Sequence, residues 1–425
     1  MPDMLEALQT AVTSVSKDWK TAKRSADKED HVRQRDLERM RSRSSYRELS
    51  IKDAAYQVMR RAYLAASAND TLPATARQVM YAARPLVLGL TGGKCWSNSS
   101  YFTQHLLPDF MDEYLESNAW NVVFDARGHF REPHTEERTD LGTLEVRQYV
   151  QSWQNSGGAL DLTDLLPETL FPTCGPDNRF QFALFIEKEG FNPLLRAARI
   201  AERHDLAVMS TKGMSVTAAR ELVERLSERG VTILVLRDFD KAGFSIAHTL
   251  KTSSRRYTFG STPNVVDLGL RLADVEAMGL ASEPVEYGGR QDPRRNLRES
   301  GAAEAECDYL VHTSGRGRWH GQRVELNAMA ADQFVEFLKA KLQAAGVGKV
   351  VPGAKVLEQA YRRAKQLVEV RRAAEEALTR ANGEDIQLPA DLVGKVASRV
   401  AGKATSWDEA ISDIVDEEGS HDCPN

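Results

Sequence analysis

The sequence predicts a mixed α/β protein with a helical first domain, a parallel-sheet domain in the middle and a helical C-terminal region. Apolar residues recur at helical spacing between Tyr46 and Gly89. From Phe182, apolar runs alternate with helical segments, which is the pattern of right-handed β-α-β crossovers. A last helical stripe ends at Asn382-Gly383. These three observations define the fold class.

Residues 1–45 are predicted to form a basic helical arm. The segment from Lys17 to Arg47 holds 11 Lys or Arg against 6 Asp or Glu. Such an arm could neutralise phosphates of a nucleic acid. It could equally be a solvated helix with mixed charges, and composition leaves both interpretations open.

Residues 46–150 are predicted to form a winged-helix domain, because three helices precede a short strand. The second helix covers Thr75 to Ala83 and should end before Pro85, since proline disfavours helical backbone in its predecessor. A third helix follows over Tyr101 to Leu115, and Trp120 to Phe124 is a β-branched strand. In a winged-helix domain one helix is presented to DNA.

Residues 175–330 are predicted to form a doubly wound parallel sheet, and residues 331–425 a helical module. The predicted strands are Phe182–Glu187, Leu206–Ser210 and Val231–Leu236, and the predicted helices are Pro193–His204, Ser215–Arg229 and Gly243–Lys251. Ligands of such sheets bind at the carboxyl ends of the strands.

Three carboxylates occupy those strand ends. Glu187 closes the first strand, and Asp238 and Asp240 close the third. The two-residue period of a strand places both aspartates on one face. Carboxylate oxygens suit a hard cation, so we expect a Mg²⁺ site here. Ordinary loop acids are the alternative.

The bulk composition excludes several classes of protein. The 425 residues are 28% charged and 42% hydrophobic, with a formal net charge of -5, so any DNA contact must come from local basic patches. No apolar run reaches the roughly 18 residues of a membrane span. The start lacks a secretory pattern, so we expect an intracellular protein without a membrane partner. Four dispersed cysteines argue against a zinc site or a disulfide framework.

The central segment resembles a known domain. FALFIEKEG, followed by STKGMSVTAAR, ILVLRDFD and RVELNAM, is similar in order and spacing to the Toprim domain found in the meiotic double-strand-break transesterase and in the related topoisomerase VI A subunit. The resemblance implies that Glu187, Asp238 and Asp240 hold Mg²⁺, with Glu189 as an alternative ligand. It also implies a functional role for Lys212.

The sequence departs from that pattern at Lys241 and Ala242, where the family often has a proline and an aromatic residue. This departure leaves the implied metal ligands intact. It puts the shape of the adjoining loop in question.

A second resemblance concerns the first domain. ARQVMYAAR is similar to the Arg-Asp-x-x-Tyr segment of the same family, which implies that Tyr81 is the catalytic tyrosine and Arg77 its helper. The two residues are four positions apart and so share a helix face. Gln78 stands where the family commonly has Asp, and Arg84 is a reserve phosphate contact.

The resemblance implies a magnesium-dependent DNA-cleaving enzyme of the type IIB topoisomerase A-subunit kind, which makes a double-strand break with 5′-phosphotyrosine links. It further implies a homodimer on double-stranded DNA, with each tyrosine serving the metal site of the opposite protomer, in the cytoplasm at the nucleoid. No Gly-x-x-x-x-Gly-Lys-Ser/Thr loop occurs, so ATP hydrolysis is expected from a separate B-like subunit of the GHKL type shared by gyrase and heat-shock protein 90.

Two other functions fit the sequence. One is a Toprim nuclease that hydrolyses DNA in a defence or chromosome-maintenance complex, for which Tyr81 would be dispensable. The other is a DNA-binding subunit without catalytic activity. Several arginines could line a DNA channel or could be exposed loop charge: Arg294, Arg295, Arg298, Arg316, Arg318 and Arg323.

Overall fold

The computed structural model describes residues 49–124, 129–132, 138–152, 175–210, 217–253, 257–288, 291–314, 318–381, 388–401 and 403–421. The predicted arm, residues 1–45, and Lys212 lie outside them. The chain divides into two compact units. The first contains the described residues of 49–124 and 175–351, and the second contains most of the described residues of 129–152 and those from 352 onward.

The first part of the first unit is helical, as predicted. Its elements are α1 (Ile51–Ala66), β1 (Ala74–Thr75), α2 (Ala76–Leu90), α3 (Ser99–Tyr101), a π-helical turn (Phe102–Leu106), α4 (Leu107–Glu113), a 3₁₀ turn (Leu115–Ala119) and β2 (Val122–Val123). Strands β1 and β2 pair in parallel. Aromatic rings of Tyr56, Phe110 and Trp120 pack in the core. The winged-helix assignment itself stays a prediction.

The prediction that the second helix ends before Pro85 is wrong. Helix α2 continues through Pro85 to Leu90. Proline removes the N–H that would bond to the carbonyl of Tyr81 four positions earlier. Pro85 lies on the exposed side of the helix, and the flanking residues Ala83 and Val87 are buried. Packing of this apolar face therefore outweighs the local preference of proline.

The middle of the first unit is the predicted parallel sheet. Its strands are β5 (Phe182–Ile186), β6 (Leu206–Ser210), β7 (Thr232–Leu236) and β8 (Val265–Gly269). They pair in parallel in the order β6-β5-β7-β8. The crossover helices are α6 (Asn192–Ala197), α7 (Ile200–His204), α8 (Thr217–Glu228) and α9 (Lys241–Thr249).

Both faces of the two central strands, β5 and β7, are buried. Leu184 and Leu234 face one apolar cluster, and their neighbours Phe185 and Val235 face another. Side chains of adjacent residues in a strand point to opposite faces. The continuous apolar strands in the sequence follow from this two-sided burial.

A smaller antiparallel sheet completes the first unit. Its strands, in the order β10-β11-β9, are β9 (Glu283–Tyr287), β10 (His312–Ser314) and β11 (Arg318–Arg323). Four helices accompany it: α10 (Leu272–Met278), α11 (Pro293–Glu299), α12 (Glu304–Leu310) and α13 (Ala331–Ala344). Phe239 and Val324 exchange backbone hydrogen bonds of 2.8 and 3.1 Å, which ties the end of β7 to the segment after β11.

The second unit contains a hairpin and the C-terminal helices. These elements are β3 (His129–Arg131), β4 (Arg138–Asp140), α5 (Thr143–Ser152), α14 (Ala354–Ala381), α15 (Leu392–Val400) and α16 (Trp407–His421). Helix α14 is described as far as Ala381, and the predicted stop at Asn382-Gly383 lies outside the described residues. Among the described residues, no helix has the length and apolar character needed to cross a membrane.

Candidate active site

The three predicted acids meet at the carboxyl edge of the parallel sheet. Glu187 follows β5 directly, and its Oε2 accepts the backbone N–H of Asp238 at 3.3 Å. Asp238 is 2% exposed, and its Oδ1 accepts the backbone N–H of Leu326 at 2.8 Å. The sheet edge therefore brings together the first two predicted ligands, which are 51 positions apart in the sequence.

Asp240 shapes the loop after β7. It is the N-cap of α9, and its Oδ1 accepts the backbone N–H of Gly243 at 2.7 Å. A Cβ at Gly243 would lie 2.4 Å from the carbonyl oxygen of Asp238, so only glycine fits this close approach. The helix begins at Lys241, so the sequence departure at positions 241 and 242 does not prevent this capped turn.

Lys188 inserts its ammonium group between two carboxylates. Its Nζ lies 2.6 Å from Asp238 Oδ2 and 3.0 Å from Glu325 Oε2. Burial opposes the charged form of Lys188, but Asp238 and Glu325 outweigh it and raise the pKa of the amine above its usual range. We call the group formed by Glu187, Asp238 and Asp240 the acidic edge. A permanent cation therefore lies within the acidic edge.

Within the described ranges, no ion pair with a cation balances the charge of Glu187. Burial, together with the negative charges of Asp238 and Asp240, raises the pKa of Glu187 to about 8, although Lys188 partly opposes this shift. A carboxyl group with such a pKa is largely protonated at pH 7. A bound divalent cation would relieve the repulsion that holds the proton there.

The chemistry of these oxygen donors fits Mg²⁺, which needs only one or two protein carboxylates. Glu187, Asp238 and Asp240 are the residues that would hold it. One oxygen of Asp238 already contacts Lys188. In the described part of the chain, no three His, Cys, Asp or Glu side chains are arranged as a ready-made metal group. Glu189 begins the 3₁₀ turn Glu189–Phe191, and its alternative role stays a prediction.

Tyr81 lies in α2 and is 6% exposed. Its hydroxyl is enclosed and makes no hydrogen bond to the residues that the structure describes. Burial is the largest cause that raises the pKa of this hydroxyl well above its usual range. The negative charges of Glu325, Glu283 and Asp238 raise this pKa further. In this conformation the predicted nucleophile is shielded and hard to ionise.

Helix α2 is joined to the segment after β11 by three side chains at its start. Thr75 Oγ1 donates to Asn327 Oδ1 at 2.7 Å. Arg77 pairs with Glu325. Gln78 Nε2 donates to the carbonyl oxygen of Met329 at 3.0 Å. The predicted tyrosine helix therefore lies against the acidic edge of its own chain.

The departure at Gln78 has a structural reason. Gln78 is 2% exposed, and its Oε1 accepts the N–H of Thr75 at 2.8 Å in a capping box. An aspartate could accept that N–H but could not also donate to Met329. Gln78 therefore anchors the helix, and nothing in its contacts assigns it to the chemistry.

Glu325 is the residue that the sequence analysis missed. It is 2% exposed and lies among three cations: Arg77, Lys188 at 3.0 Å and Arg323 at 3.3 Å. Burial opposes its charge, but Lys188, Arg77 and Arg323 lower the pKa of Glu325 to about 2. Its only signal in the sequence is its place in RVELNAM, which indicated the end of a domain and no role for this side chain.

The predicted basic residues are mostly paired with acids. Arg295 lies 3.1 Å from Glu299, and Arg298 lies 2.6 Å from Glu304. Arg84 lies 3.5 Å from Glu283. Arg316 is outside the described residues, as is Lys212. The pairs of Arg295 and Arg298 lie on the surface and contribute little to stability, so these two side chains can exchange partners.

A cleft of about 360 Å³ opens beside Arg77 and Lys188. Polar residues on its wall include Ser100, Thr103 and Gln104. The side chains of Arg77 and Lys188 are 34% and 25% exposed. Both cations can therefore be reached from this cleft.

Comparison with known protein families agrees with this architecture. Residues 182–342 match the family model that describes the Toprim domain of Spo11 and of the topoisomerase 6 A subunit. The matched region contains the acidic edge, Lys188 and Glu325, and continues into α13. No curated protein matches the chain. The chain therefore carries the Toprim domain of the family that comprises Spo11 and the topoisomerase 6 A subunit.

Proposed function

We propose that this chain is a DNA-cleaving subunit that breaks double-stranded DNA by transesterification through Tyr81. The family of its Toprim domain supports DNA cleavage. The observation that carries the proposal is the ion pair between Arg77 and Glu325, because it places the tyrosine helix beside Asp238 and Lys188. The tyrosine helix and the acidic edge then lie side by side within one chain.

In this reaction the Tyr81 oxygen attacks a phosphorus atom of the DNA backbone and loses its proton. The bond from phosphorus to the 3′-oxygen breaks, and that oxygen takes up a proton. The 5′ end stays linked to the tyrosine, so the energy of the phosphodiester is kept. Arg77 offers several N–H donors, so it can keep Glu325 and still bind a phosphate oxygen from the cleft.

Mg²⁺ held by Glu187, Asp238 and Asp240 would stabilise negative charge on the phosphate. Lys212, which follows β6 in the sequence, is proposed to contact the phosphate. These roles follow the family resemblance and the position of the acids at the strand ends.

Tyr81 must become exposed before it can attack. Its enclosed hydroxyl supports a proposal in which DNA binding or homodimer formation moves α2. In a homodimer the tyrosine of one protomer would serve the acids of the other, and a separate GHKL-type ATPase subunit would drive the cycle. We place this activity at the cytoplasmic nucleoid.

The second candidate is hydrolysis of DNA by an activated water. The burial of Tyr81 and the raised pKa of its hydroxyl favour it, because neither matters when water is the nucleophile. The acidic edge would then carry the chemistry without the tyrosine.

Covalent capture separates the two candidates. The chain is incubated with Mg²⁺ and duplex DNA that carries a bridging 3′-phosphorothiolate, whose thiolate leaving group slows resealing. Protein attached to 5′ ends is detected on a denaturing gel. The variants are Tyr81→Phe and, as a control, Tyr56→Phe, which alters another buried tyrosine of the same core.

Transesterification predicts an adduct in the wild type and in Tyr56→Phe, and none in Tyr81→Phe. Cleavage that persists in Tyr81→Phe and leaves free 5′ ends would instead establish hydrolysis.

A further inference from the structure

Glu325 connects the tyrosine helix to the acidic edge through two cations. Its Oε1 pairs with Arg77 of α2, and its Oε2 lies 3.0 Å from Lys188 Nζ. Lys188 in turn lies 2.6 Å from Asp238 Oδ2. A continuous chain of ion pairs thus runs from α2 to a predicted metal ligand.

This arrangement is not explained by stability alone. A buried ion network often contributes no more to folding than apolar residues of similar volume. Removal of one partner, however, leaves the others as uncompensated buried charges. The network therefore fixes where Arg77 and Lys188 lie more than it strengthens the fold.

Glu325 also differs from the three acids at the strand ends. Both of its oxygens already face cations, since Arg323 Nη2 lies 3.3 Å from Oε1 in addition to Arg77. Little negative charge is left for a further cation. Its contacts suit the positioning of other groups and not metal binding.

We propose that Glu325 is a positioning residue for DNA cleavage, which holds the Arg77 guanidinium and the Lys188 ammonium in fixed relation to the acidic edge. Glu325 itself need not touch DNA. This inference rests on the proposed cleavage activity, but it holds for transesterification and for hydrolysis alike.

A double-mutant cycle tests the proposal. Cleavage by the full-length chain is measured in a single turnover with Mg²⁺, for wild type, Glu325→Gln, Arg77→Gln and the double variant. If Glu325 acts through Arg77 and Lys188, Glu325→Gln slows cleavage at saturating DNA by about tenfold or more, which raises the activation free energy by about 1.4 kcal/mol. The DNA concentration at half-saturation should change much less. The double variant should be slowed by less than the product of the two single effects, because part of the effect of Glu325 passes through Arg77.

Glu283→Gln is the matched control. Glu283 is a second buried acid, 8% exposed, and lies 2.9 Å from Arg323 and 3.5 Å from Arg84. The cations that it pairs with are Arg323 and Arg84, and not Arg77 or Lys188, which join α2 to Asp238. In a variant that carries both Glu283→Gln and Arg77→Gln, the factors by which the two changes slow cleavage should therefore multiply. The proposal is overturned if the slowing factors of Glu325→Gln and Arg77→Gln also multiply in the double variant. It is overturned as well if Glu325→Gln cleaves as fast as wild type.

Two further measurements cover the remaining outcomes. If Glu325→Gln does not fold, Glu325→Asp keeps the charge and is used in the same cycle. If the wild-type chain cleaves no DNA, backbone hydrogen exchange in the first turn of α2 is measured instead. A positioning role requires that this exchange be faster in Glu325→Gln than in Glu283→Gln. The denaturing gel that detects protein attached to 5′ ends shows separately whether the Tyr81 mechanism fails.

Discussion

The charge of Arg237 is buried beside the parallel sheet and depends on one carboxylate. Its side chain is fully buried, and its Nη2 lies 2.8 Å from Asp267 Oδ2. The guanidinium also lies 3.6 Å from the ring centre of Phe244. Asp267 therefore neutralises a charge that has no access to water.

We predict that Asp267→Asn destabilises the protein by about 3–5 kcal/mol, because it leaves Arg237 as an uncompensated buried charge. Chemical denaturation followed by circular dichroism measures the change. The control is Asp177→Asn, since Asp177 pairs with Arg229 at 3.1 Å and both side chains are exposed. That change should stay below about 1 kcal/mol. Equal effects of the two variants would contradict the prediction.

The pH dependence of this pair follows from the direction of its pKa shift. Burial opposes the charge of Asp267, but Arg237 and Arg271 lower its pKa below the ordinary 3.8. A lowered pKa gives stability that is complete above pH 3.8 and is lost as the pH falls through the folded-state pKa. The difference between wild type and Asp267→Asn should therefore shrink only below pH 3.8.

At the same scale, part of the candidate site was accessible from the sequence. Glu187, Asp238 and Asp240 were predicted because strand ends can be read from apolar runs, and the structure brings them to one edge. Glu325 was not predicted, because it reaches Arg77 across 248 positions and no local pattern encodes that contact.

Helix α2 shows how an element is held by its first turn. The capping box between Thr75 and Gln78 satisfies two backbone N–H groups, with distances of 2.8 and 3.1 Å. Gln78 also donates to the carbonyl of Met329 at 3.0 Å. One buried amide thus begins the helix and attaches it to the Toprim segment.

We predict that Gln78→Leu destabilises the protein by about 2–4 kcal/mol, because it removes the Gln78 half of the capping box and leaves the N–H of Thr75 and the carbonyl of Met329 without this partner. Gln333→Leu is the control. Gln333 also accepts an N–H at the start of its helix, from Ala330 at 3.2 Å, but it is exposed. Its loss should cost less than about 1 kcal/mol. Thermal unfolding of both variants measures the difference, and a stable Gln78→Leu would refute the anchoring role.

The elements themselves were predicted well where their pattern is strong. Strands β5, β6 and β7 lie within one or two residues of their predicted ranges. The apolar runs of β5 and β7 are buried on both faces, which makes them distinctive in the sequence. The predicted helix Pro193–His204 is instead two short helices. Arg199 between them has a left-handed backbone with φ of 52°, which no residue type in that segment signals. The break at Arg199 and the continuous helix at Pro85 both differ from the local sequence pattern.

On the scale of the whole molecule, all the predicted metal ligands belong to the first unit. The second unit has a few buried apolar side chains of its own, among them Ala410 and Ile414, which are 0% and 3% exposed. Compact units with separate cores can unfold in separate transitions. A ligand that binds one unit stabilises that unit by mass action.

We therefore predict that Mg²⁺ raises only the unfolding transition of the first unit, by about 2.7 kcal/mol when its concentration is 100 times the dissociation constant. Calorimetry of the full chain measures this stabilisation. Leu234→Ala, in the sheet core, identifies the transition of the first unit because it lowers that transition alone.

Since the pKa of Glu187 is raised to about 8, a proton competes with the ion at pH 7. The stabilisation by Mg²⁺ should grow as the pH rises through 8 and vanish in Asp238→Asn. An equal shift in Asp238→Asn would show that the ion binds elsewhere.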